Sequence, residues 1–143
     1  MGKIPDDIEI DDDAVRFRGK ARWLLLGLLK RAKFAEDYEP KFLFSPWVAK
    51  LASHLTGVLA PNSDLQSYAD DPMTRFEIAK AIAHDADHIG WWRMTRTEKG
   101  DFLQSVVAAP HRMSSETVEE IVLSVTEEVE RARRLVAAAD VIS

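Results

Sequence analysis

The chain has no cysteine, which excludes a disulfide framework, a thiolate zinc site and a cysteine nucleophile and fits a reducing compartment. No apolar run is long enough to cross a bilayer: the longest, Trp23 to Leu29, has seven residues where a span takes about 18. The opening MGKIPDDIEIDDD is acidic and lacks the apolar stretch of a secretory signal. No glycine-rich phosphate loop, G-x-S-x-G elbow or zinc-finger spacing occurs. Internal repeats and low-complexity tracts are absent, and no period-2 alternation is long enough for a convincing strand. These absences leave a soluble, cytoplasmic, α-helical chain as the expectation.

What is present supports it. A length of 143 residues with 46% hydrophobic and 30% charged residues suits one domain with a sizeable core. The net charge of −5 argues against a chain that binds nucleic acid over its whole surface, since such domains are usually basic. The charge is unevenly spread. Residues 1–14 carry six acids against Lys3, whereas residues 15–34 carry seven bases and no acid. Such a split can fold an acidic arm back on a basic helix or display a basic face to a partner.

Apolar spacing places the first helix at about Asp13 to Phe34, with Asp11 to Asp13 as N-cap candidates and Lys30, Arg31 and Lys33 at its negative end. Phe17, Ala21, Leu24, Leu25, Leu28, Leu29 and Ala32 form its core stripe, leaving Trp23, Leu26 and Phe34 among the bases. Residues 37–44 read as a connector. Ser45-Pro46 opens a second helix with Val48, Leu51, Ala52, Leu55, Val58 and Leu59 inward; Asn62-Ser63-Asp64 can cap a short one. Asp71-Pro72 opens another, expected to reach Met94, with Ile78, Ala79, Ile82, Ala86 and Ile89 buried. A shorter segment interrupted at Gly100 runs from Glu98 to Ala109. The last helix, capped by Ser114 or Ser115, carries the stripe Val118, Ile121, Val122, Val125, Val129, Ala132, Val136 and Ala139, with Glu127–Arg131 and Glu130–Arg134 paired across one turn. The expected fold is all-α: a compact single-domain bundle of about five helices over residues 13–143, preceded by an acidic arm at 1–12.

Three features carry candidate chemistry. His84 and His88 lie four apart on one helix face, a spacing that can hold one divalent ion with Asp85 beside it. It is not the H-E-x-x-H of zinc peptidases. His54, then His84-Asp85, then Asp140 give an H…HD…D order across residues 50–140. Together with His54-Leu55-Thr56-Gly57-Val58, this order resembles the HD-domain metal-dependent phosphohydrolases. That resemblance implies one or two divalent metal ions activating water against a phosphoester.

The second feature is the basic-aromatic first helix, with Arg16, Lys20, Arg22, Lys30 and Arg31 around Trp23. The third is Trp91-Trp92 followed by Arg93 and Arg96; adjacent helical tryptophans point about 100° apart, so both cannot enter one seam. Tryptophan and arginine are enriched at interface hot spots. The leading reading is a non-enzymatic helical interaction module (an adaptor, regulator, inhibitor or assembly subunit) that binds an acidic protein partner through these residues, with a homo-oligomer open as well. The alternative is the phosphohydrolase, with His88 near its metal.

Overall fold

The computed structural model describes residues 8–35, 37–61 and 67–142, with the backbone alone described at 140–142. It is mostly α-helical, with six α-helices and a two-stranded hairpin among the described residues. Contacts gather in two compact units, residues 1–64 and 65–143.

Unit 1 opens with β1 (Ile8–Ile10) and β2 (Val15–Phe17), antiparallel, with Ile8 opposite Phe17 and Ile10 opposite Val15. This corrects the expectation of a helix from Asp13. The alternations Ile-Glu-Ile and Val-Arg-Phe are strand patterns, each only three residues long. Asp11 to Asp13 belong to the turn rather than to a helix cap, and the Asp11 N–H donates to the Ala14 carbonyl at 2.8 Å. Phe17 is therefore a strand residue, not part of a helical core stripe.

α1 (Lys20–Phe34) begins after Gly19, whose φ of 53° suits glycine where hairpin turns into helix. α2 (Pro40–Leu43) is a single turn inside the expected connector. α3 (Pro46–Leu59) starts where the sequence places it: the Ser45 side chain accepts from the Val48 N–H at 3.3 Å, with proline in the first turn. α1 and α3 pack on each other through a small core of Leu26, Ala52 and Leu55, flanked by Leu25, Leu29 and Leu59. Leu26, expected outside the stripe, is the leucine that α1 buries most, while Leu24 and Leu28 are exposed. The seated face of α1 is thus turned well away from the centre of its apolar arc.

Unit 2 contains α4 (Pro72–Ile89), α5 (Arg96–Phe102) and α6 (Ser115–Ile142). Asp71 caps α4, its carboxylate accepting from the Thr74 N–H at 2.9 Å and hydroxyl at 2.7 Å; these bonds hold that carboxyl below its ordinary pKa. α4 stops at Gly90, whose left-handed φ of 79° forms the C-terminal cap five residues earlier than expected. Trp91–Arg93 is a 3-10 turn, so neither tryptophan sits on the histidine-bearing helix. Thr95 and Glu98 form a capping box on α5, which passes Gly100 unbroken into a π-helical stretch, Leu103–Ala108.

The Ser114 hydroxyl accepts from the Thr117 N–H at 3.1 Å, starting α6. Ile78, Ile82, Trp91, Leu103, Val107, Ile121 and Val125 form the interior of the unit. At its edge the Arg75 guanidinium donates to the Ala69 and Asp70 carbonyls and pairs with Glu120. Arg134 pairs with Glu130 as expected, but Arg131 pairs with Glu128 rather than Glu127, at 3.1 Å. The anticipated cap at Asn62 to Asp64 lies outside the described residues.

The rotation of α1 predicts a contrast. Leu26→Ala should destabilise by about 2–4 kcal/mol and Leu24→Ala by under about 0.5 kcal/mol in chemical denaturation. Equal costs would place the core on the other face. Gly27 is exposed, with nothing within 4 Å of an added Cβ, so Gly27→Ala should raise stability by about 0.5–1 kcal/mol in the same assay.

Candidate functional site

The residues of the basic-aromatic helix divide by location. Arg16 belongs to β2, where Glu9 lies 3.7 Å from it and 2.9 Å from Arg18, so the acidic segment engages the first arginines within the hairpin. Arg22 and Lys30 are half-buried, and Arg22 Nε has no hydrogen-bond partner among the described residues. Lys20, Trp23 and Arg31 remain exposed, Trp23 at 55%. Lys33 is fully buried, with Nζ 5.2 Å from the centroid of the Phe34 ring, and desolvation lowers its pKa to about 8.

α3 carries an exposed apolar feature, two of whose residues, Leu51 and Val58, sequence reasoning placed inside. Ala49, Ala52 and Leu55 face inward, whereas Trp47, Leu51 and Val58 repeat at i, i+4 and i+11 on a different face in solvent, Trp47 at 79% exposure. The signal was the width of the apolar arc. Val48, Leu51, Ala52, Leu55, Val58 and Leu59, with Trp47 besides, span more of the circumference than one neighbouring helix covers. α1 has the same surplus at Leu24 and Leu28. Neither helix contains an acid, and Lys20, Arg31 and Lys50 are exposed on them.

In unit 2, Trp91 is fully buried and meets Phe102 edge-on, with ring centroids 6.3 Å apart at 71°. Lys99 Nζ lies 5.3 Å from the Trp91 centroid and 5.5 Å from that of Trp92, a shared cation–π contact that orders the pair. Trp91 is therefore a core residue and no surface anchor, which corrects the expectation for it. Trp92 is half-exposed and Arg93 exposed, while Arg96 pairs with Glu119 at 3.5 Å.

His84 and His88 are exposed on α4 and Asp85 is half-buried. His54 is exposed on α3 in unit 1, and the Asp140 side chain lies outside the described residues. Among the described residues no three histidine, aspartate or glutamate side chains gather so as to hold a metal ion. No described helix is long and apolar enough to cross a membrane.

His84 does line an open groove between α4 and α6. Ala81, Ala83, Val129, Ala132, Val136 and Ala137 supply its apolar surface, and Lys80, His84, Glu128 and Arg133 its polar edge. No family model, curated protein or solved structure matches the chain.

Lys33 gives unit 1 a pH signature. With a folded pKa of about 8 against an ordinary 10.5, the folded chain binds fewer protons than the unfolded one between those values. Stability therefore rises with pH across that window, and below it the Lys33 contribution is flat and at its least. Between pH 8 and 10.5 the melting temperature of the wild type should rise relative to that of Lys33→Met, whatever their order at pH 7. A gap unchanged with pH would contradict the burial of this amine.

Proposed function

We propose that the chain is a non-enzymatic protein-interaction module whose principal docking surface lies on α1 and α3 of unit 1. The observation that supports this reading is the solvent-facing row Trp47, Leu51 and Val58, on a helix whose inward face is already occupied. Large apolar side chains grouped in water mark interaction surfaces more often than chance exposure does. Trp47 is the natural anchor: a wide ring that buries much area while fixing few torsions.

The charge around that row selects the partner. α1 and α3 carry bases without acids, so an approaching acidic surface is attracted and a basic one repelled. Charge of this kind acts mainly on encounter rate and specificity, while the aromatic anchor sets the lifetime of the complex. The partner is therefore a protein presenting an apolar pocket with an acidic rim.

A photo-reactive benzophenone side chain at position 51, introduced into the full chain in its native host, tests this. The expected result is a discrete heteromeric adduct that is absent for the same group at the exposed Ser105. The adduct should fall at least about tenfold in Trp47→Glu or Arg31→Glu, with melting temperatures unchanged. Adducts equal to the Ser105 control, adducts with the chain itself only, or flotation of the protein on anionic vesicles would each overturn the reading.

A further inference from the structure

The apolar residues of α6 fall at heptad spacing. Val118, Val122, Val125, Val129, Ala132, Val136 and Ala139 alternate spacings of four and three, the pattern by which one helix lays a continuous seam against another. Unit 2 covers only the first part of that seam. Val125 is fully buried and Val118, Val122 and Val129 half-buried, but every residue from 131 to 139 is exposed, Val136 at 62%. α4 flanks this bare stretch without closing on it, and the groove between them measures about 950 Å³.

We propose that this α4–α6 groove is a second docking site, separate from the α1–α3 surface, and that its occupant is an amphipathic helix with large apolar residues along one stripe and carboxylates flanking them. Three features define that occupant. The groove is open, and its apolar surface follows a helical repeat, which a partner helix reads at i, i+3 or i+4, and i+7. Its apolar lining is mostly alanine (Ala81, Ala83, Ala132, Ala137), leaving holes that leucine or phenylalanine knobs fill.

Its charged edge is basic: Lys80 stands on the α4 side and Arg133 on the α6 side, whereas Glu128 is engaged by Arg131 at 3.1 Å. Residues 131–139 hold no acid; Arg131 and Arg134 pair with Glu128 and Glu130, and Arg133 is the arginine that lines the groove. The positive edge is a local feature, complementary to carboxylates on the incoming helix and repulsive to lysines there. His84 lies at the same edge, so the histidine that draws attention in the sequence belongs to a binding groove.

The probes are two fluorescent peptides of about five helical turns with one leucine stripe, flanked by glutamates in one and by lysines in the other. Titrated with the full chain by anisotropy, the glutamate peptide should bind at least about tenfold more tightly than the lysine peptide. Val136→Asp or Ala132→Glu, both at exposed positions, should abolish that binding. Lys80→Glu combined with Arg133→Glu should reverse the preference. Trp47→Glu should leave it unchanged, so failure here is distinguishable from failure of the α1–α3 surface. Equal affinity for both peptides, no binding of the glutamate peptide, a preference that survives the double charge reversal, or a dimer of the chain itself that Val136→Asp dissociates would each overturn the proposal.

Discussion

The seating of α6 beside α4 organises unit 2, and it covers only part of a longer apolar seam. Ile121 and Val125 are fully buried, as are Ile78 and Ile82 of α4. Trp91, Leu103 and Val107 complete the interior, so no α6 residue beyond Val125 is fully buried among those described. α6 nevertheless continues its valine and alanine spacing into solvent. Helices in proteins draw most of their stability from a packed face, so a helix that keeps its apolar repeat after its neighbours run out retains surface suited to another element.

Unit 1 reaches the same condition with fewer residues. Its core between α1 and α3 is small, and α3 carries apolar side chains on two faces of which one is seated. Burying an aliphatic side chain contributes about 1.5–3 kcal/mol. Leu24, Leu28, Leu51 and Val58 forgo about half of that or somewhat more in the isolated chain, and Trp47 forgoes more. The two units therefore offer surfaces of different shape, an aromatic-anchored face and an open groove, each bordered by positive charge within an acidic chain.

Much of the fold was legible in the sequence because local chemistry sets it. Ser45-Pro46, Asp71-Pro72 and Ser114 start their helices where side-chain acceptors can reach orphan N–H groups, and the stripes of α4 and the first half of α6 are buried or half-buried as their spacing implies. The misses arose where a local signal had a competitor. Asp11 to Asp13 suit a hairpin turn as well as a helix cap, and three-residue strands fall below what alternation can show. Gly90 was read as interior to a helix although its freedom at positive φ makes it a stop, and that error put both tryptophans on the wrong element.

The candidate surfaces were less legible for a different reason. A hydrophobic stripe read from sequence says which residues favour burial, not whether the fold supplies something to bury them against. Leu24, Leu51, Val58 and Val136 were assigned to core stripes on that basis. Their exposure depends on the number and placement of neighbouring helices, which periodicity within one helix cannot reveal. Conversely, Trp23 was correctly placed outside the stripe of α1, because an aromatic among bases already departs from it.

Hydrogen–deuterium exchange along α6 in the monomeric free chain tests most directly whether packing really ends partway along this helix. Backbone amides in residues 118–126 should be strongly protected and those in 131–139 should exchange rapidly, because there the helix can open without disturbing the core. Protection of 131–139 equal to that of 118–126 in the isolated monomer would contradict it, since the seam would then be covered by the chain itself.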